Sequence, residues 1–240
     1  MTLDVWWRTR IRGRIRRQLR DQALLDAASK DVFTGIYRDN LWGNPESRSG
    51  WGSTLGGPNG TQVLRAQLPS LIDEFKVTSI VDVPCGDLNW LARLNLDTID
   101  YLGVDIVDDL ITANIQRYAS PNRHFKQADL TTWTPPPADL IIVRDLLIHL
   151  TNDQVIACLR NVAASGARLL LISNYARVRR NGDTFAGGLR LHNLMRRPFA
   201  EFGIEGAVIR RLPDGDGSRG RQMLLCDISA IHGSPTALRP

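Results

Sequence analysis

Lysine and cysteine are scarce in this 240-residue chain, and each shortage excludes something. Of 30 basic residues only Lys30, Lys76 and Lys126 are lysine, a skew toward arginine that we read as coding bias. Arginine number alone therefore argues nothing. Cys85, Cys158 and Cys226 are the only cysteines and lie far apart. An odd, scattered set builds neither a disulfide frame nor a zinc site, and it suits reduced thiols in a cytoplasm. No apolar run approaches the roughly 18–20 residues that span a bilayer. The basic N-terminus is not followed by the apolar stretch of a signal peptide. Internal repeats are absent too. What is left is an ordinary globular composition, 43% hydrophobic and 23% charged, long enough to bury one full core.

The formal charge of +5 is unevenly placed. Residues 1–20 hold seven arginines against Asp4 alone, which leaves the other 220 residues at −1. A general nucleic-acid-binding face on the body is not supported. Residues 1–30 read as an extension, with Trp7, Ile11, Ile15 and Leu19 along one side of a basic amphipathic helix. Such a helix packs on the domain or on a second subunit, with an anionic membrane surface and nucleic acid as the other uses.

Residues 31–75 form a cap. The stretch 40–53 is dense in Gly, Ser and Trp, an ordered loop that can lie as a lid over a ligand. Gln62–Phe75 reads as a helix interrupted around Pro69. From 76 to 228 strands and helices alternate, with strands expected at 78–83, 101–106, 124–128, 140–143 and 169–172. A short helix is expected from 88, and helices at 108–119 and 152–164. Gly206–Arg211 and Gln222–Ile228, around a Pro-Asp-Gly-Asp-Gly turn, read as a closing hairpin. Residues 229–240 read as a loose tail.

The most informative stretch is Val81-Asp82-Val83-Pro84-Cys85-Gly86-Asp87-Leu88-Asn89-Trp90. A strand ends in an acid, a glycine turn follows, and about twenty residues on a second strand ends in Asp105-Ile106. That is the plan of a nucleotide-binding βαβ unit, with the second acid placed to take both ribose hydroxyls. No G-x-G-x-x-G is present, so no pyrophosphate cradle is written here and an NAD-dependent oxidoreductase is disfavoured. A nucleoside without phosphates fits better, and S-adenosylmethionine is the common one. Asp129-Leu130, after the third strand, match the usual position of an acid near the adenine amino group in folds of this plan, with an ordinary strand-end acid as the plain alternative. Cys85 reads as a small turn residue, not a nucleophile.

At the end of the fourth strand lies Arg144-Asp145-Leu146-Leu147-Ile148-His149. A hydroxyl is a poor nucleophile at neutral pH, and a histidine there can take its proton. Asp145 can orient that ring or hold the hydroxyl, and Arg144 can pair with Asp145. Alternatives are an internal Arg144–Asp145 ion pair and a packing role for His149. No Asn/Asp-Pro-Pro-aromatic motif follows this strand, which lowers methylation of exocyclic amines. His149, Asp145 and a further acid would make a magnesium set, yet no compact carboxylate cluster asks for one and no metal is assigned. Beyond the fifth strand, Tyr175, Arg190, His192 and Asn193 suit sugar hydroxyls, with a surface loop as the plain alternative.

The motif I and motif II pattern resembles the class I methyltransferases. The set Trp42-Gly43, Glu46-Ser47, Ser49-Gly50 and Gly52-Ser53, with Pro84-Cys85-Gly86-Asp87, Asn89-Trp90, Arg144-Asp145 and His149-Leu150, resembles one bacterial family of small S-adenosylmethionine-dependent methyltransferases over about 32–228. Within it the chain is similar to the sugar 1-O-methyltransferases of methylmannose polysaccharide synthesis. The resemblance implies a Rossmann-like, seven-stranded, mostly parallel sheet with an antiparallel last strand and helices on both faces. It also implies cofactor contacts from the two motifs, with Trp42 and Ser53 from the lid, a mannoside hydroxyl as acceptor and His149 as base. Other readings are a natural-product or lipid-linked acceptor, and a non-catalytic cofactor-binding partner.

Overall fold

Apolar runs that end in acids become the centre of the sheet. The computed structural model describes residues 29–232, so most of the basic N-terminal extension and the end of the tail lie outside the described residues. The strands are β1 (Ser79–Asp82), β2 (Asp100–Asp105), β3 (Arg123–Gln127), β4 (Leu140–Val143), β5 (Leu169–Tyr175), β6 (Val208–Pro213) and β7 (Arg221–Asp227). They form one sheet in the order β3-β2-β1-β4-β5-β7-β6. β7 runs antiparallel to both neighbours, and the other pairings are parallel. Every residue of β4 and β5 is buried, as strands covered on both faces must be. The chain winds outward from β1 to β3 and then restarts at β4. The crevice between β1 and β4 is thus the switch point where such sheets hold ligands.

The helices are α1 (Ser29–Arg38), α2 (Gln62–Glu74), α3 (Asp108–Tyr118), α4 (Asn152–Ala163) and the short α5 (Ile204–Ala207). α4 begins with a capping box, in which the Thr151 side chain accepts from Gln154 N and the Gln154 side chain accepts from Thr151 N. Three expectations are corrected. α2 is continuous through Pro69. Leu64, Leu68 and Leu71 bury one stripe of that helix while Pro69 stays exposed, and that burial offsets the roughly 3 kcal/mol cost of an interior proline. No α-helix starts at 88, because Leu88 has φ +55°, outside the helical region. One turn of 3-10 helix at Leu91–Arg93 follows instead. β5 continues past Ile172 to Tyr175, with Ser173 Oγ accepting from Asp145 N and Asn174 Oδ1 from Leu194 N, so that these two buried acceptors are met although Asn174 Nδ2 is not. At the other end, Ile231 is buried and His232 N donates to Phe202 O.

Candidate functional site

The tips of β1, β2 and β3 enclose a narrow cleft of about 340 Å³ counting its open mouth. Pro84, Asp105, Ile106, Asp129, Leu130 and Leu146 line it, with Phe33 of α1 closing one side. Asp105 is the polar centre. Its Oδ1 accepts from Val107 N at 3.1 Å and its Oδ2 from Gly86 N at 3.2 Å. Each oxygen keeps a second lone pair for a diol. Burial raises the Asp105 carboxyl to about 6, with those backbone N–H groups holding it down. Asp82 lies beneath the turn, 2% exposed, and burial lifts it to about 7 against the Tyr101 hydroxyl that donates to it at 2.8 Å. Asp129 stands at the cleft with Oδ1 accepting from Thr131 N. Cys85 is buried, and burial pushes its thiol well above the ordinary range, which suits a turn residue.

The glycine turn is covered by the cap. Gly86 has φ +54°, and a Cβ there would meet Ser49 Oγ at 2.5 Å. Asp87 N donates to Ser49 Oγ at 2.9 Å, while Ser47 Oγ and Arg48 N donate to the Asp87 carboxylate. Asn89 Nδ2 donates to Glu46 Oε1 at 2.7 Å and to Ser53 O at 2.9 Å. Asp87 and Asn89, expected at the cofactor, thus serve here to clamp the loop 46–53 onto the turn. Ser53 takes part through its carbonyl. On the other side, Asn114 Nδ2 of α3 donates to Gly86 O at 2.7 Å. Glu46, Ser47 and Ser49 carry the family resemblance in the sequence without a role assigned to them, and nothing local marks Asn114.

The end of β4 holds a buried ion quartet. Arg144 Nη2 meets Asp214 Oδ1 at 3.0 Å, Arg221 Nε meets Asp214 Oδ2 at 2.8 Å, and Arg221 Nη2 meets Asp145 Oδ2 at 2.6 Å. Arg144 Nη1 closes the ring to Asp145 at 3.4 Å. Because β7 runs antiparallel, its first residue Arg221 lies beside Tyr175, the last of β5. Tyr175 Oη donates to Asp145 Oδ1 at 3.4 Å. Trp90 is buried under the Arg144 guanidinium, so its contact is with that charge. Burial works to raise the Asp145 carboxyl, but Arg221 and Arg144 outweigh it and hold it low. Asp145 itself has φ +56°, a strained backbone held by its N–H to Ser173 Oγ.

Gly52 fits against this quartet. Its carbonyl accepts from Arg144 Nη1 at 2.7 Å, and a Cβ there would collide with Asp145 Oδ2. Gly52→Ala is expected to cost about 1–3 kcal/mol through overpacking. Thermal melts of the two proteins check this, and a coincident midpoint would show that the contact is not tight.

His149 stands one turn beyond. Its Nδ1 lies 2.7 Å from Gly188 O, and a carbonyl only accepts, so Nδ1 carries a proton. In the neutral ring Nε2 then keeps its lone pair. Trp42 stacks on the ring at 4.7 Å. The ring is therefore oriented by Gly188 and Trp42, whereas the sequence suggested Asp145. Burial lowers the His149 pKa, with Gly188 and Asp145 opposing.

The segment after β5 departs from expectation. His192 is fully buried, with Nε2 at 3.2 Å from Ser173 O and its ring packed on Tyr175 and Phe199. Burial lowers its pKa to about 4. Asn193 Nδ2 donates to Ala176 O and Val178 O, and its Oδ1 accepts from Met195 N. Asn193 holds its own loop together, while His192 ties that loop to β5 and its unpartnered Nδ1 is sealed from the surface, so neither presents an accessible group to an acceptor hydroxyl. Tyr175 and Arg190 stay beside the site. Among the described residues no group of three or more His, Cys, Asp or Glu side chains is arranged to hold a metal ion.

No protein-family model matches the chain, and no curated protein does. Solved structures do. The methyltransferase domain of bacterial CtHen1 is similar at a TM-score of 0.53 and 18% identity, over 70% of this chain and 98% of that one. Magnesium protoporphyrin IX methyltransferase from Synechocystis, with bound S-adenosylmethionine, matches at 0.54 and 15%, over 84% and 97%. Human N-acetylserotonin methyltransferase, in complex with the same molecule, matches at 0.57 and 12%, over 91% and 66%. The seven-stranded sheet in the order 3-2-1-4-5-7-6 and these likenesses together show that the chain has the class I methyltransferase fold.

Proposed function

We propose that this protein is an S-adenosylmethionine-dependent O-methyltransferase whose acceptor is a sugar hydroxyl. The observation that carries it is His149, whose proton on Nδ1 is committed to Gly188 O, leaving Nε2 basic at the end of β4. The lining of the cleft suits the cofactor's adenosine chemically, with apolar walls, one buried carboxylate that keeps free lone pairs, and no phosphate cradle. S-adenosylmethionine supplies, when bound, an electrophilic methyl group on a sulfonium. Asp105 would hold the ribose diol, with Asp129 at the adenine edge. His149 Nε2 takes the proton from the acceptor hydroxyl as its oxygen becomes the nucleophile. Asp145 and Tyr175, hydrogen-bonded to each other, would frame the acceptor hydroxyl beside His149. No metal is assigned to the reaction. Cys85, Cys158 and Cys226 are buried free thiols, in keeping with a cytoplasmic enzyme.

A second reading, a lipid-linked or natural-product acceptor, is favoured by Trp51 and Leu189, which are exposed on segments that touch the site. Radiolabelled methyl transfer onto partially methylated manno-oligosaccharides, phenols and lipids separates the two. No transfer to any acceptor, with normal cofactor affinity, would favour a non-catalytic cofactor-binding partner.

Asp105→Ala is expected to weaken cofactor binding by at least about tenfold, the value of one lost charge-assisted hydrogen bond. Wild-type affinity should fall as pH drops through about 6, because the protonated carboxyl no longer accepts two hydroxyls. Calorimetry at pH 5 and pH 8 reads both, and equal affinities would overturn the ribose assignment.

A further inference from the structure

The modest charge of the body conceals a segregation. Residues 176–197 hold six arginines against Asp183 alone, so the rest of 21–240 stands at −6. The segment starts where β5 ends, at the ligand edge of the sheet, and folds back on itself. Asn181 Nδ2 donates to the carbonyls of Asn193, Arg196 and Arg197, which brings its two ends together. The hairpin adds Arg219, since Ala176 N donates to the carbonyl of its neighbour Gly220 at 2.9 Å. Arg177, Arg179, Arg180, Arg196, Arg197 and Arg219 are exposed, and none forms an ion pair among the described residues. Elsewhere on the surface Arg38, Arg168, Arg210 and Arg211 each pair with a nearby acid. Arg48, Arg93, Arg117 and Arg160 are also exposed without an ion pair among the described residues, but they are scattered along the chain, whereas six such arginines gather in this one segment and the hairpin beside it.

Arg190 is the inner member. Its Nη2 donates to Leu150 O and its guanidinium lies over Phe199, but Nε and Nη1 are buried without a partner among the described residues. Leaving charged donors unmet is costly. Asp183 is the acid nearest in influence, yet its Oδ1 takes Asn152 N and Thr184 N, and it makes no ion pair with Arg190. The location is informative. Arg190 N donates to Ile148 O and Gly187 N to His149 O, both at 2.8 Å, while Gly188 O takes the His149 ring proton. The unmet guanidinium therefore belongs to the short segment that holds the candidate base.

Resting on the methyltransferase reading, we propose that the acceptor carries an anionic group, a phosphate or a carboxylate, which Arg190 receives while the exposed arginines draw it in. A guanidinium fork matches either anion with two parallel hydrogen bonds. A like-charged rim raises the encounter rate in a salt-dependent way. A neutral hexose alone would leave this charge without a counterpart.

The test titrates the full chain with mannose, mannose 6-phosphate and glucuronate by calorimetry at about 50 and 200 mM salt, with S-adenosylmethionine titrated on the same samples. At least one anionic sugar should bind about tenfold or more tighter than mannose, and R190Q should erase that preference while cofactor affinity holds. R190K should restore part of it. If R190Q does not fold, the exposed triple variant R177Q/R179Q/R180Q replaces it and should lower the affinity for the anionic sugar several-fold at low salt. Equal affinities, no binding of either anionic sugar, or a preference that survives R190Q would overturn the proposal. So would a single-stranded oligonucleotide that displaces the sugar phosphate. Loss of cofactor binding alone would instead sink the methyltransferase reading and leave the anion comparison readable.

Discussion

Replacing His149 with alanine is expected to cut turnover by about 10²–10⁴-fold, the usual share of a general base, with cofactor affinity nearly unchanged. The ring stacks on Trp42 and donates Nδ1–H to Gly188, so its contacts orient Nε2 and do not build the cofactor cleft. Burial lowers its pKa from the ordinary 6.5, opposed by the Gly188 carbonyl and Asp145. A base must be unprotonated to act, and a lowered pKa keeps it so through neutral pH. At saturating cofactor, where the Asp105 titration does not limit the rate, activity should therefore be flat near pH 7 and fall on an acid limb below the ordinary histidine value of about 6.5. His149→Ala should erase that limb together with the rate. Methyl transfer measured from pH 4 to pH 9 decides this, and an unchanged kcat removes His149 from the mechanism.

Asp214→Ala carries the largest expected loss of stability. Asp214 is fully buried in the turn between β6 and β7 and binds Arg144 and Arg221 at once. Its removal leaves two buried guanidinium groups to share Asp145. Uncompensated charge of this kind costs about 3–5 kcal/mol, a large part of a domain's stability. Asp214→Asn keeps the shape without the charge and should fall between. Denaturant midpoints read the series, and a midpoint equal to wild type would show the quartet adds nothing. The sign of the pH dependence is fixed by Asp145. Burial tends to raise its pKa, but Arg221 and Arg144 bring it below the ordinary 3.8. Its contribution is then complete above that value and lost as pH falls below it.

Much of the cofactor side was legible in order along the chain. Asp82 and Asp105 end apolar strands and Asp129 follows the more polar β3, and strand ends are where a parallel sheet meets its ligand. Local signals failed where a distant contact decides the outcome. Pro69 looked like a break, but three buried leucines carry α2 through it. Leu88 looked like a helix start, but its positive φ ends that possibility. His192 looked like a hydroxyl donor, yet it is packed between Tyr175 and Phe199 and bonded to Ser173 O. Arg144 and Asp145 are adjacent in sequence, whereas their partners Asp214 and Arg221 lie on the last hairpin, among 27 arginines that composition cannot tell apart.

The sequence by itself determined the layered α/β plan, the strand tips that bear acids, and the absence of a phosphate cradle. These depend on periodicity and on short-range turn chemistry, which neighbouring residues settle among themselves. The tertiary structure decided which way His149 points, what clamps Asp87, how four buried charges cancel, and where unpaired arginine collects. Most of these depend on segments 39 or more residues apart in the chain meeting at one edge of the sheet. Contacts at that separation leave no periodic trace, because burial and charge pairing are properties of the packed molecule and not of any stretch of it.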